Sequence, residues 1–221
     1  MKIYVGDSKL VKIDKRRCER LDDGKTSTNE VYRNGKDVYK FFHTHLDEGR
    51  SFTINKNQYF LDFNMDLKVI RMLDALIYNS SKKCIGTHTT YVDGISELNK
   101  IIPCLLEMKK NQFLESFYLL EKDLDVLTKN KIAVYDLLPY NSILKKGILY
   151  HIDYGYFEKC DNPNKNISLM DEYIGELLDN IYEYLGYNIH TSELIPNYLF
   201  DYLKKDMNEG ETVKEFVKKI I

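Results

Sequence analysis

Two acids and an amide stand close together in the stretch from Ile132 to Phe157, IAVYDLLPYNSILKKGILYHIDYGYF. Asp136 is followed by Asn141, then by the apolar run Ser142-Ile143-Leu144, a Lys145-Lys146-Gly147 turn, a second apolar run from Ile148 to Ile152, and Asp153-Tyr154-Gly155. An amide oxygen and a carboxylate are hard ligands of the kind that suit Mg²⁺ carrying phosphate oxygens. Asp136, just upstream of Pro139, is placed to accept a proton from an incoming hydroxyl. Far upstream, Lys40 lies inside Val38-Tyr39-Lys40-Phe41-Phe42, and an ammonium in so apolar a strand needs a partner or an anion.

The elements that must position these groups follow from the flanking pattern. Two runs rich in Ile, Leu and Tyr, divided by Lys-Lys-Gly, read as a β-hairpin that brings Asn141 close to Asp153. The stretch resembles the catalytic and metal-binding loops of the protein-kinase-like fold. Asp136-Leu137-Leu138-Pro139-Tyr140-Asn141 matches the D-L-x-P-x-N part of that family's catalytic loop, and Asp153-Tyr154-Gly155 stands where D-F-G is expected. The resemblance implies an α+β, bilobal kinase-like fold in a single domain, with an antiparallel-sheet N-lobe over about 1–92 and a reduced helical C-lobe over about 95–221. It also implies ATP and Mg²⁺ as cofactors, Asp136 and Lys40 as catalytic residues, and Asn141 and Asp153 as metal ligands.

The remaining landmarks are sought upstream in order. Segments 9–13 and 18–21 are short strand candidates, and 31–33 with 38–42 flank Asn34-Gly35, a strong hairpin signal. Between strands lies Asp22-Asp23-Gly24-Lys25-Thr26-Ser27-Thr28, where the family places its glycine-rich loop. Gly24, Lys25, Thr26 and Ser27 are the implied phosphate-covering residues, and only Gly24 remains of the usual glycines. Lys40 stands where the family's V-A-I-K lysine contacts the α- and β-phosphates. Apolar residues near helical period predict a helix over 66–78, with Asp66 as the acid partner of Lys40 and Asp74 or Glu48 as alternatives. Thr89 to Gly94 reads as a strand ending in a turn, and Tyr91, Val92 and Asp93 become the hinge whose backbone meets an adenine edge. Helices are expected over 96–108, 112–128, 168–185 and 192–207, with a short amphipathic end over 212–221.

The chain departs from the family at several points. Val134 replaces the catalytic-loop His, Leu138 occupies the place of the usual Lys, and no A-P-E-like segment follows Gly155. The expected function is an ATP- and Mg²⁺-dependent phosphotransferase moving the γ-phosphoryl to a hydroxyl acceptor, a protein Ser or Thr. The alternatives are a pseudokinase or partner-binding module, or a small-molecule kinase or nucleotidyl transferase on the same fold. With no activation segment, control is expected to come from a regulatory protein partner or from substrate supply.

Composition bounds these readings. The 221 residues suffice for one large domain or two lobes. Apolar content of 43% and charged content of 30% are those of a soluble globular chain. A net charge of −2 with scattered Lys and Arg gives no footprint for nucleic acid or an anionic membrane. No apolar run approaches a membrane span, and the charged N-terminus lacks a signal-peptide core, so a cytoplasmic location is expected, with secretion through an uncleaved signal left open. Cys18, Cys84, Cys104 and Cys160 form no C-x-x-C pair and read as free thiols.

Overall fold

The computed structural model describes residues 2–6, 9–22, 29–42, 65–134, 137–152, 157–161, 165–195 and 198–221. Gly24, Lys25, Thr26, Ser27, Glu48, Asp136 and Asp153 lie outside them. The architecture is mixed α+β, and the chain divides into two compact units. One comprises Met1–Asn64 with Met72–Tyr91, and the other Met65–Arg71 with Val92–Ile221.

The first unit is a seven-stranded antiparallel sheet in the order β2-β1-β6-β7-β5-β4-β3. Its strands are β1 (Lys2–Val5), β2 (Lys9–Lys12), β3 (Glu19–Arg20), β4 (Asn29–Asn34), β5 (Asp37–Phe42), β6 (Ala75–Tyr78) and β7 (Cys84–Thr90). The Asn-Gly signal produces the β4–β5 hairpin, with Asn34 opposite Asp37 and the bend at Gly35-Lys36, where Gly35 takes φ +65°. Period-2 alternation sends Tyr39 and Phe41 to one face, into a core with Ile3, Ile13, Tyr32 and Ile77. Lys40 therefore shares the opposite face with Val38 and Phe42. Its strand partners are Val31 on β4 and Thr87 on β7.

A glycine makes that pairing possible. Gly86 lies opposite Phe41, and a Cβ there would sit 2.2 Å from the Lys40 carbonyl oxygen, so no side chain fits without displacing β5 or β7.

The helix expected over 66–78 does not form. Residues 65–74 are irregular and 75–78 are strand β6 between β1 and β7. The spacing of Leu67, Ile70, Leu73 and Ile77 mimics a helical stripe, but Val69, Ile70 and Leu73 are buried through an extended backbone. Tertiary pairing overrides the apparent period here: Ile70 makes a parallel bridge to His151, with the His151 N–H donating to the Val69 carbonyl at 2.8 Å and the Arg71 N–H to the His151 carbonyl at 2.8 Å.

The second unit holds six α-helices among the described residues: α1 (Leu98–Leu106), α2 (Lys110–Lys129), α3 (Lys165–Tyr184), α4 (Thr191–Leu194), α5 (Leu199–Asp206) and α6 (Val213–Ile220). The single helix expected over 192–207 is thus two, α4 and α5. Pro196 falls between them in the sequence and cannot donate a helical hydrogen bond. The amphipathic stripe of α2 buries Phe113, Phe117, Leu120, Leu124 and Leu127. Phe117 meets Phe113 edge-on at 4.9 Å and also contacts Tyr173 of α3 and Phe200 of α5. Thr212 and Glu215 close a capping box at the start of α6. Short strands β8 (Ile132–Ala133) and β11 (Glu158–Lys159) pair antiparallel, and β9 (Ser142–Lys145) pairs with β10 (Ile148–His151). No helix among the described residues is long and apolar enough to cross a membrane.

Candidate functional site

The β9–β10 hairpin is the centre of the site in the second unit. Its two-residue turn is Lys146-Gly147, both with positive φ (52° and 80°), as a tight hairpin turn requires. Ser142 lies opposite His151, and one step further the Ile152 N–H donates to the Asn141 carbonyl at 2.9 Å. Asn141 therefore sits at the open end of the hairpin, across from the residue that precedes Asp153 in the chain. Asn141 closes a 3-10 turn, Pro139–Asn141, in which its N–H donates to the Leu138 carbonyl at 3.0 Å. The backbone of Asn141 is committed on both sides. Its side-chain amide is half-buried.

The hairpin is held at both edges. Ile95 bridges Leu144 on the β9 side, with reciprocal N–H donations of 2.9 and 2.8 Å. Gly94 is required there, because a Cβ would lie 2.5 Å from the Leu144 carbonyl oxygen. On the β10 side the segment Val69–Arg71 pairs at His151, and Ser116 Oγ of α2 accepts the Leu149 N–H at 3.0 Å.

Several positioning groups escaped the sequence reading. Asp123 of α2 is 1% exposed, and its carboxylate accepts the consecutive N–H groups of Lys68, Val69 and Ile70 at 2.7, 2.7 and 2.8 Å. Burial raises its pKa, and the three backbone donors work in the opposite direction. Asn166, in the first turn of α3, accepts the Val134 N–H at 2.9 Å and donates to the Ile132 carbonyl at 2.8 Å and to Thr128 Oγ1 at 3.0 Å. Strand β8 and the following Val134 are thereby fixed to α3. Ser142, His151 and Tyr173 form a third buried polar cluster. Desolvation pushes the His151 imidazole down to about 3 and the Tyr173 hydroxyl well above its usual range.

The other expected site residues are placed as follows. Lys40 is half-buried on β5 of the sheet unit. Asp66 is at the side-chain level 87% exposed, belongs to the second unit, and ion-pairs with Lys68 two residues on. With no helix to carry it, the basis for choosing Asp66 as the partner of Lys40 is removed. Asp74, the alternative, accepts from Thr90 Oγ1 at 2.8 Å. Tyr91, Val92 and Asp93 follow β7 directly, and the chain passes from one unit to the other between Tyr91 and Val92. The Tyr91 N–H donates to the Lys36 carbonyl at 2.8 Å, and its ring lies 3.6 Å beneath the Arg33 guanidinium. Val92 is buried and Asp93 exposed. Among the described residues, no three His, Cys, Asp or Glu side chains group so as to hold a metal ion. No protein-family model matches the sequence, and no curated protein matches it at a significant level.

Proposed function

We propose that this protein is an ATP- and Mg²⁺-dependent phosphotransferase of the protein-kinase-like type, moving the γ-phosphoryl of ATP to a hydroxyl of a protein Ser or Thr. The observation that carries the reading is the open end of the β9–β10 hairpin. There the Ile152 N–H to Asn141 carbonyl bond ties Asn141 to the residue that precedes Asp153 in the sequence, and the Asn141 side-chain amide oxygen would be offered to the cation. The strand β8, clamped by Asn166, delivers the chain to Asp136 two residues after Val134.

Each residue then has a distinct task. Asn141 and Asp153 hold Mg²⁺, which when bound neutralises charge on the phosphate oxygens. Asp136 orients the acceptor hydroxyl and takes its proton as the oxygen attacks the γ-phosphorus, while the bond to the β–γ bridging oxygen breaks and ADP departs. Lys40 pairs with the α- and β-phosphates, and Gly24, Lys25, Thr26 and Ser27 cover them. The adenine edge meets the backbone of Val92 and Asp93 together with the Tyr91 carbonyl, since the Tyr91 N–H is already given to Lys36. Asp66, bound to Lys68, is left out of the nucleotide site.

The test separates base from metal ligand. ATP labelled separately at the γ- and α-phosphates is followed in the wild type, Asp136→Asn and Asp153→Asn. Asp136→Asn is expected to keep Mg²⁺-ATP affinity while turnover falls roughly 10²- to 10⁴-fold. Asp153→Asn is expected to weaken Mg²⁺-dependent nucleotide binding itself, because an amide is a poorer ligand for a hard dication. Label transferred from the α-phosphate would replace the reading with nucleotidyl transfer. An activity unchanged in Asp136→Asn would replace it with a binding module.

A further inference from the structure

We infer that Ser142, His151 and Tyr173 form a buried hydrogen-bonded strut that positions Asn141 for its cation, an inference that rests on the phosphotransferase reading above. Ser142 Oγ lies 3.0 Å from the Tyr173 hydroxyl and 3.3 Å from His151 Nδ1. The three residues are 2%, 1% and 4% exposed, respectively for Ser142, Tyr173 and His151. The Tyr173 ring also stands edge-on against the imidazole at 4.8 Å, so the helix α3 meets both hairpin strands through one side chain.

Apolar side chains at these positions would bury the hairpin without desolvating a hydroxyl, a phenol and an imidazole. What the polar set adds is direction. An apolar contact tolerates sliding, whereas two hydrogen bonds meeting at one Oγ fix Ser142 along the strand as well as across it. Ser142 Oγ carries one proton and two acceptor lone pairs, so it can serve both Tyr173 and His151 at once.

The position of the strut ties it to the metal end of the hairpin. Ser142 directly follows Asn141, and His151 directly precedes Ile152, whose N–H holds the Asn141 carbonyl. The two strand residues that the strut joins are thus the last cross-strand pair before Asn141. The outer edge of His151 is fixed in turn to Val69 and Arg71. The same helix α3 holds Val134 through Asn166, so one helix serves as the base for Asn141 and for the strand leading to Asp136. Ser142, His151 and Tyr173 are positioning residues: they touch neither nucleotide nor acceptor.

The experiment uses the full chain with Ser142→Ala, Tyr173→Phe and Ser142→Thr. Three quantities are read: the Mg²⁺ concentration giving half-maximal ATP binding, ATP affinity without a divalent cation, and the thermal unfolding midpoint. Ser142→Ala and Tyr173→Phe are expected to raise the Mg²⁺ requirement about tenfold, the scale of outer-shell changes at metal sites, with metal-free ATP affinity unchanged. Ser142→Thr keeps the hydroxyl and is expected to restore the wild-type Mg²⁺ requirement. Tyr173→Phe loses a single oxygen, so it reports even if Ser142→Ala fails to fold. An unchanged Mg²⁺ requirement in Tyr173→Phe, whatever happens to the midpoint, makes the cluster mere packing and overturns the strut alone. A wild type with no Mg²⁺-dependent ATP binding overturns the phosphotransferase reading and the strut with it.

Discussion

In the sheet unit the backbone is satisfied largely by its own ladders, and its buried polar side chains among the described residues include Thr87 and Asp22, whose carboxylate accepts the Val31 N–H at 2.7 Å. In the helical unit, among the described residues, Ser116, Asp123, Ser142, His151, Asn166 and Thr191 are buried polar residues. Three of these bind backbone groups of short strands and of an irregular segment. Asp123 caps the extended segment at Lys68–Ile70, Asn166 fixes Ile132 and Val134, and Ser116 takes the Leu149 N–H that faces away from β9. A regular sheet needs few such groups because each N–H meets a neighbouring strand. Short strands and turns leave donors pointing into the core, where an unpaired one is costly.

The difference predicts which substitutions each unit tolerates. The largest effect is expected at Asp123. Removing its carboxylate orphans three consecutive N–H groups, so Asp123→Ala should lower stability by about 3 kcal/mol or more. For a chain of this size that corresponds to a midpoint lowered by roughly 6–12 °C. Calorimetry checks it, and a loss under about 1 kcal/mol would mean that water or a shifted backbone replaces the carboxylate.

In the sheet unit the sensitive position is steric instead. Gly86→Ala places a methyl where the Lys40 carbonyl oxygen stands, and overpacking of this kind costs about 1–3 kcal/mol. Hydrogen exchange should show the loss concentrated in β5 and β7, with β9 and β10 protected as before. Uniform loss across both units would instead indicate that they unfold together.

The third prediction concerns pH and belongs to the helical unit. The buried imidazole of His151 is pushed down from 6.5 to about 3. Below pH 6.5 the unfolded chain gains a proton that the folded chain refuses. Stability from this group is therefore complete above about pH 6.5 and declines as pH falls toward 3. Between pH 7 and pH 5 the loss should be about 2 kcal/mol. The raised carboxyl of Asp123 acts with the opposite sign, since there the folded state keeps a proton longer as pH rises. Comparing wild type with His151→Gln isolates the imidazole: the variant should lose the decline between pH 7 and pH 5. Parallel profiles would place the decline elsewhere.

The same contrast explains what was legible in the sequence. Local signals were read correctly where local chemistry governs: Lys146-Gly147 makes the hairpin turn, and Gly35 makes the β4–β5 bend. The long stripe of α2 was equally plain, although its first turn begins at Lys110. The misreading at 66–78 arose because the partners of that segment are remote. Asp123 lies more than fifty residues from the N–H groups it caps, and His151 is farther still. Nothing in the local period distinguishes such an extended core segment from a helix. The reading of Asp136, Asn141 and Asp153 rested on residue types in order. Asn166, Ser142 and Tyr173 were passed over because a buried amide or hydroxyl becomes meaningful only once its partner is known.

The most direct test of the phosphotransferase account is the thermal unfolding midpoint of the full chain with and without Mg²⁺-ATP. At a hundredfold excess over the dissociation constant, binding to the folded state should add about 2.7 kcal/mol and raise the midpoint by roughly 5–10 °C, with Mg²⁺ required for the full shift. A midpoint unmoved by ATP, ADP and Mg²⁺ in any combination would contradict it.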